Sequence, residues 1–262
     1  PAADGRAGGR AAPAASGAVT PLRLARFLAR AGVVSRRGAA ELVAAGSVRI
    51  NGVPPRGPGD PVDPARDVVT VDGRPVGLAA LVWLALHKPP GYVTSRRAAE
   101  RFPSVFALLP DEPGLVTVGR LDVYSEGVLL CTTDGGAAHR LMHPRWQVPR
   151  TYRVTVAGVP SPAARAQLAR GVPLADEAPV RPAAWRFTPG RGGGMLALEL
   201  CEGRSRILRR LCAALGLGVR RLVRTAYGPV RLGALPPGGT RPLRRSKSRP
   251  SEISSSGPSV PP

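Results

Sequence analysis

The sequence predicts an α+β fold, in which a small N-terminal module of helices and short strands precedes a larger mixed domain with a largely antiparallel sheet. Apolar residues recur at helical spacing near the N-terminus, and from residue 82 onward short apolar runs alternate with short helical patterns. No internal repeat is present. This order fits a mixed sheet better than a parallel stack of alternating strands and helices.

The N-terminal module is expected over residues 22–77. A first helix is indicated by an apolar stripe that consists of Leu24, Phe27, Leu28 and Ala31. Ser35 is predicted to cap a second helix, which Gly46 ends. Short strands at 48–50 and 68–71 then complete the module.

The larger domain is expected over residues 82–243. Its predicted strands are 82–86, 115–118, 128–132, 151–156, 195–201 and 222–226. Its predicted helices are 135–142, 162–170 and 207–215.

The charge of the chain points to a nucleic-acid partner. The 262 residues include 38 Lys and Arg but only 17 Asp and Glu, which gives a formal net charge of +21. Such an excess excludes a protein that is indifferent to polyanions. The preference for Arg over Lys has two explanations that stay open, forked phosphate contacts and a GC-rich genome.

The remaining composition argues against a membrane protein, a disulfide scaffold or a metalloprotein. The longest apolar run, at residues 78–86, is too short to span a bilayer. Cys131, Cys201 and Cys212 lack metal-ligand spacing and are expected to be reduced core residues. We therefore predict an intracellular protein, monomeric, with no metal site.

The two ends of the chain are expected to be disordered. Residues 1–21 are rich in Ala, Gly and Pro, and residues 244–262 are rich in Ser, Pro and Arg. The leader has two interpretations, a remnant of an organelle transit peptide and a bland linker. The first places the protein in a chloroplast or mitochondrion, and the second in the bacterial cytoplasm.

The most informative segment is GRLDVYSEGVLLCTTDG, residues 119–135. Two apolar strands flank it, so Asp122 is predicted to lie in a connection that a rigid sheet positions. Arg120 places a fixed positive charge two residues away. Asp122 is a candidate nucleophile, and the alternative is that it only caps a turn.

This segment resembles the catalytic motif of the RsuA-like pseudouridine synthases, which convert uridine to pseudouridine in ribosomal RNA. The resemblance implies that Asp122 is the nucleophile and that neither a metal nor an organic cofactor is needed. It also implies that the target uridine is flipped out of its helix, with Arg120 filling the vacated space.

Two further segments are similar to the same family. In PRTYRV, residues 149–154, Tyr152 matches the active-site tyrosine that lies against the base; the alternative is an ordinary sheet tyrosine. In EGRSRILRR, residues 202–210, the resemblance assigns Arg204 as the ionic partner of Asp122 and Leu208 as the aliphatic residue under the base. The alternative is a basic, RNA-facing helix start, which we assign to Arg209 and Arg210.

Lys88 opens the family-like segment KPPG, residues 88–91, and is assigned to substrate binding. Two positions depart from the family pattern: Ile207 stands where Gln is common, and His87 where Asn is common. The loss of the Gln side chain puts one polar contact near the site in doubt.

The segments SRRGAAEL, residues 35–42, and GSVRING, residues 46–52, resemble a small S-four-like RNA-binding module. The resemblance implies that Arg36 and Arg37 contact RNA phosphates; the alternative is a solvated basic face.

The combined motifs predict an rRNA pseudouridine synthase, with features closer to the large-subunit branch. Two other functions stay open: a ribosome-bound assembly protein that has lost turnover, and an RNA-binding module without a defined target.

Overall fold

The structure is a computed structural model that describes residues 21–78, 80–175 and 177–243. The predictions for residues 1–20 and for the tail 244–262 lie outside these ranges. The chain divides into two compact units, Pro1–Ala79 and Ala80–Pro262.

The first unit contains two short helices and five short strands. These are β1 (Leu22–Arg23), α1 (Leu24–Arg30), α2 (Ala39–Ala44), β2 (Val48–Ile50), β3 (Pro61–Val62), β4 (Val69–Val71) and β5 (Arg74–Val76). β2, β4 and β5 form an antiparallel sheet, and β1 pairs with β3. Leu24, Phe27 and Leu28 are buried together with Val48 and Val69, as the helical stripe predicts.

The second helix begins later than predicted. The Ser35 hydroxyl accepts a hydrogen bond from Gly38 N at 3.2 Å, and its carbonyl accepts one from Ala39 N at 3.1 Å. Ser35 thus closes a single turn, and α2 starts only at Ala39. Arg36 and Arg37 are exposed in this turn rather than within the helix.

The second unit is dominated by strands. They are β6 (Trp83–Lys88), β7 (Val116–Val118), β8 (Glu126–Thr132), β9 (Arg150–Ala157), β10 (Val172–Leu174), β11 (Glu177–Val180), β12 (Ala184–Gly190), β13 (Gly193–Leu200), β14 (Gly218–Tyr227), β15 (Val230–Arg231) and β16 (Thr240–Pro242). Its helices are α3 (Gly135–Met142), α4 (Pro162–Arg170) and α5 (Ile207–Ala214), with 3-10 turns at Val105–Leu108 and Pro144–Trp146.

Nine of these strands form one sheet in the order β12-β13-β9-β14-β8-β6-β16, with β15 beside β14 and β7 beside β8. Among the strand pairs of the described ranges, β14 and β8 alone run parallel. The α+β class and all nine predicted elements of this unit are confirmed. The sequence missed five short or proline-containing strands, namely β10, β11, β12, β15 and β16.

The centre of the sheet is buried on both faces. Along β8 all seven residues are buried, and they alternate between two apolar clusters: Leu129 and Cys131 face one, and Val128 and Leu130 face the other. On one side, β9, β13 and β14 pack against α4 and α5. The strand that follows the Asp122 turn is therefore a fixed platform.

Two of the three cysteines fit their predicted core role, and Cys201 departs from it. Cys131 and Cys212 are free and buried, and burial raises the pKa of each thiol to about 12. Cys201 is also free and only partly buried.

Candidate active site

An open cavity of about 930 Å³ lies in the second unit. Its walls are the turn that precedes β8, the inner face of β9 and β14, and the segment that leads into α5. Five residues predicted from the sequence line it together: Arg120, Asp122, Tyr152, Arg204 and Leu208. A cavity of this size accommodates a nucleotide.

Asp122 lies in the turn between β7 and β8, and its side chain is exposed to the cavity. Its carbonyl accepts a hydrogen bond from Ser125 N at 3.0 Å. The Thr94 hydroxyl holds the preceding residue, because it donates to Leu121 O at 2.7 Å and accepts from Leu121 N at 3.2 Å. Within the described ranges no hydrogen bond engages the Asp122 carboxylate, so the turn does not depend on that side chain for a cap.

Lys88 binds the backbone of the same turn from the protein interior. The side chain is fully buried, and Nζ donates to the carbonyls of Asp122 at 3.1 Å, Val123 at 3.2 Å and Ser125 at 2.9 Å, with a further contact to Pro89 O at 3.0 Å. Burial lowers the pKa of Lys88 to about 8, although the nearby Asp122 charge acts in the opposite direction. These contacts give Lys88 a structural role, and its assignment to substrate binding stays a prediction.

The structure explains why residue 127 of the motif is a glycine. Gly127 has a φ of 116°, and a Cβ at this position would overlap the backbone of Arg224 on the neighbouring parallel strand. Only glycine permits β14 to approach β8 this closely.

Tyr152 lies on β9 and is buried, with 6 % of its surface exposed. In the sheet it stands between Leu198 of β13 and Arg224 of β14. Its side chain lines the cavity, so it is both a sheet residue and a cavity residue.

Arg204 lies in the segment that leads into α5 and lines the same cavity as Asp122. Its Nε donates to Glu202 Oε2 at 2.6 Å, and its Nη1 donates to Ala178 O at 2.7 Å. No hydrogen bond or ion pair between described side chains joins Arg204 to Asp122. The predicted ionic partnership of these two residues therefore stays a prediction.

Arg209, which the sequence assigned to an RNA-facing helix start, also lines the cavity. It belongs to the first turn of α5, and its Nη2 donates to Tyr124 O at 3.3 Å, two residues from Asp122. Arg209 is thus tied to the turn that carries the candidate nucleophile. Helical spacing did not signal it, because Arg209 follows Leu208 directly and adjacent helix residues do not share a face.

Two buried arginines in the cavity were not identified from the sequence. Arg150 and Arg224 have 7 % and 2 % of their surfaces exposed, and both guanidinium groups lie against the ring of Tyr227. The signal was weak, because Arg224 is a single charged residue between the apolar positions Leu222 and Ala226.

His87, a departure from the family pattern, is buried beside Glu126 in a polar cluster that the exposed Arg221 completes. Its Nε2 lies 3.1 Å from Glu126 Oε1, and Arg221 donates to both carboxylate oxygens of Glu126, at 2.9 and 2.8 Å. The hydrogen bonds from Arg221 hold the pKa of Glu126 below its usual range, with His87 acting in the same direction and burial opposing both. This cluster joins β6, β8 and β14, which gives His87 a structural role.

Residues 21–78, 80–175 and 177–243 contain neither a metal-binding cluster nor a helix suited to a membrane. No group of three or more His, Cys, Asp or Glu side chains in them is arranged to hold a metal ion. No helix in the same ranges is long and apolar enough to cross a membrane.

Sequence comparison identifies the family. Residues 82–214 match the family described as RNA pseudouridylate synthase, and residues 22–69 match the S4 domain. The chain belongs to the RNA pseudouridine synthase family. The RsuA-like resemblance is therefore confirmed, and the protein is an isomerase of the pseudouridine synthase type.

Similar proteins span most of this synthase. A protein from Aquifex aeolicus named as an RNA pseudouridine synthase is 36 % identical over 229 residues, covering 86 % of this chain and 92 % of its own. Ribosomal large subunit pseudouridine synthase B of Yersinia pestis is 39 % identical over 230 residues, which cover 83 % of this chain and 71 % of that protein. A crystal structure of a pseudouridylate synthase superposes with a TM-score of 0.59 at 28 % identity, covering 85 % of this chain and 96 % of the other.

Proposed function

We propose that this synthase isomerises a uridine of large-subunit ribosomal RNA to pseudouridine, with Asp122 as the nucleophile. The observation that carries the proposal is the Asp122 carboxylate itself. It is exposed in the cavity without a hydrogen bond from the described residues, while buried Lys88 fixes its backbone. A nucleophile requires both a fixed position and unengaged lone pairs.

The reaction needs no redox partner. A carboxylate oxygen of Asp122 bonds to C1′ of the ribose as the C1′–N1 bond breaks, and the bonding electrons leave with the base. The base turns, and its C5 bonds to C1′ while the carboxylate departs. C5 then loses its proton and N1 gains one, so the product has the composition of the substrate. Tyr152, which lines the cavity, is proposed to lie against the base.

Two arginines are candidates for the positive charge that orients Asp122. The resemblance points to Arg204, but the contact of Arg209 with Tyr124 O favours Arg209. Arg204 is already bonded to Glu202 in the absence of RNA. We propose that Arg209 is the charge partner of Asp122. Arg204 is proposed to hold the segment that leads into α5 through its contacts with Glu202 and Ala178 O.

The uridine must leave its helix to reach the cavity. Arg120, exposed beside Asp122, is proposed to occupy the space that the flipped base vacates, and Leu208 to support the base from the α5 side. Arg36 and Arg37 are proposed to contact phosphates, since they are exposed in a turn of the S4 domain.

The choice of large-subunit RNA rests on the relatives. Proteins of Yersinia pestis, Shigella flexneri and Escherichia coli that are named ribosomal large subunit pseudouridine synthase B are each 39 % identical to this chain. We further propose that the protein acts as a monomer in the bacterial cytoplasm. Light scattering of the purified chain would test the monomer, and a mass of two chains would contradict it.

The test is nucleotide-resolution pseudouridine mapping of ribosomal RNA from cells with and without this protein, and from cells that carry Asp122→Asn. We expect one large-subunit position to lose its modification in both the deletion and the variant. Loss in the deletion alone would contradict the nucleophile. No loss in either would favour the alternative, an assembly protein without turnover.

A further inference from the structure

Arg224 is a buried cation in the cavity whose hydrogen bonds are incomplete. Only 2 % of the residue is exposed, and Nε donates to Val128 O at 2.8 Å. Nη2 is buried and has no acceptor among the described residues. Buried guanidinium nitrogens are normally hydrogen-bonded, because an unsatisfied donor away from water costs free energy.

The surroundings of Arg224 do not compensate its charge. Its guanidinium lies 5.1 Å from the centre of the Tyr227 ring, and the guanidinium of Arg150 lies 4.9 Å from the same ring. Arg150 uses its Nη2 on Tyr227 Oη at 2.9 Å and on Leu141 O at 3.2 Å. No ion pair among the described residues joins either arginine to a carboxylate. The floor of the cavity therefore carries buried positive charge that favours an electron-rich ligand.

The depth of Arg224 decides which part of a nucleotide it faces. Arg120 and Arg206 also line the cavity, but both are exposed. Phosphates stay joined to the RNA chain and so remain near such exposed groups. A flipped nucleotide enters a cavity with its base leading, so the base and not the phosphate reaches the buried Arg224.

We propose that Arg224 is a catalytic residue for the isomerisation, whose Nη2 donates a hydrogen bond to a carbonyl oxygen of the target uracil. The inference rests on the proposed function, since it concerns the base that Asp122 displaces. Uracil presents carbonyl oxygens as acceptors, which match an N–H donor.

The same contact has a consequence for the rate. When C1′–N1 breaks with its electron pair on N1, the detached uracil is a monoanion, and its charge spreads to the carbonyl oxygens. A fixed guanidinium in a site of low dielectric stabilises that charge more than the charge of the neutral base. Once C5 bonds to C1′ and C5 releases its proton, the base is neutral again, and the product can leave.

The test compares Arg224→Gln with the wild type on two RNA stem-loops that carry uridine or 5-fluorouridine at the target position. Fluorine withdraws electrons and makes the base a better leaving group, so it should replace part of the stabilisation that Arg224 supplies. For uridine we expect single-turnover cleavage of C1′–N1 to slow by about 100-fold. For 5-fluorouridine the loss should be at least tenfold smaller, roughly in line with leaving-group stabilisation.

Two further variants serve as controls. Arg224→Lys keeps a charged donor and should regain part of the lost rate. Arg241→Gln removes an arginine that donates to Arg231 O at 2.8 Å outside the cavity, and it should leave both rates unchanged. If Arg224→Gln does not fold, Arg224→Lys is compared on the two substrates instead, and its smaller deficit should shrink in the same way.

The outcomes separate this inference from the proposed function. An equal loss on both substrates, or no loss, would overturn the role of Arg224 and leave it a structural residue. Asp122→Asn is measured on the same RNAs: if it retains turnover, the proposed function fails whatever Arg224 does. If Asp122→Asn is inactive and Arg224→Gln loses less rate on 5-fluorouridine than on uridine, the proposed function and the role of Arg224 are both supported.

Discussion

Two walls of the cavity, the Asp122 turn and residues 202–209, are held in different ways. The Asp122 turn is fixed by interior groups, the buried Nζ of Lys88 and the hydroxyl of Thr94, which bind its backbone. The facing wall, residues 202–209, is held by side chains near the surface, such as the Arg204–Glu202 ion pair. The first wall is thus tied to the core through its backbone, whereas in the second the residues 202–206 are exposed or half-exposed and only Ile207 and Leu208 are buried.

This difference indicates which side chains must be held in a precise position before the substrate binds. A nucleophile must stand in one place before the substrate arrives, because small displacements cost rate. Cations that meet an RNA backbone can adjust on binding, since exposed ion pairs contribute little to stability. We therefore expect substitutions in the turn to change the reaction rate or the stability. In the facing wall, the effect of a substitution on the rate should depend on whether the side chain contacts the Asp122 turn.

The largest effect is expected for Asp122→Asn, which removes the carboxylate from the fixed turn. The carboxylate makes no hydrogen bond to the described residues, so the melting temperature should not change. Turnover should fall by at least about 10⁴-fold, because an amide is not a competent nucleophile. Single-turnover isomerisation of a stem-loop substrate measures it. A variant that folds and keeps the wild-type rate would remove Asp122 from the mechanism.

The facing wall is tested by a matched pair, Arg209→Met and Arg204→Met. Arg209 contacts the Asp122 turn, so its loss should lower kcat by about 100-fold. Arg204 is bonded to Glu202 and Ala178 O, and its loss should cost less than about tenfold. Rates at saturating protein separate these effects from RNA binding. The opposite ranking would make Arg204 the partner of Asp122, as the sequence predicts.

Lys88→Met tests whether the turn is part of the core. Several carbonyls would lose their common donor, so we expect a loss of about 2 kcal/mol in the free energy of unfolding. Urea denaturation measures the stability, and single-turnover kinetics should show a slower reaction in the variant that still folds. Unchanged stability together with an unchanged rate would mean that the turn holds itself.

The same variant has a pH signature. The pKa of Lys88 is lowered from 10.5 to about 8 in the folded protein, so above pH 8 the unfolded chain binds more protons at this group. The contribution of Lys88 to stability should therefore rise with pH between about 8 and 10.5. The difference in unfolding free energy between the wild type and Lys88→Met should widen over that range. A difference that stays flat would show that Lys88 keeps an ordinary pKa.

The smallest effect is expected for charges that touch only phosphates. Replacing Arg36 and Arg37 with Ala should leave the single-turnover rate at saturating protein unchanged. It should make the plot of log affinity against log salt shallower by about 2, one unit for each lost contact. The matched control replaces Arg56 and Arg66, which pair with Asp60 and Asp63 in their own turns. Equal slopes for both double variants would place RNA elsewhere.

The sequence predicted the elements around the site because their signals are local. The apolar run of β8 and the turn before it need only neighbouring residues to be recognised, and both are where they were expected. The strands β12 and β16 were missed because each contains a proline, Pro189 and Pro242, which reads as a break in a strand.

The site itself was predicted less completely, for a physical reason. The cavity does gather Asp122, Tyr152 and Arg204. The burial of Lys88 and Arg224 depends on which strands become neighbours, and no local pattern encodes the pairing of β8 with β14. From the sequence alone, Lys88 was therefore assigned to substrate binding, and Arg224 was not identified.

The same prolines have a consequence at the borders of the sheet. β12 and β16 stand at the two ends of the main strand order, so among residues 21–78, 80–175 and 177–243 each has one side without a partner strand. Proline has no N–H to offer, and it interrupts the row of donors that another chain would need in order to add a strand. These two borders are therefore poor sites for edge-to-edge aggregation of this chain.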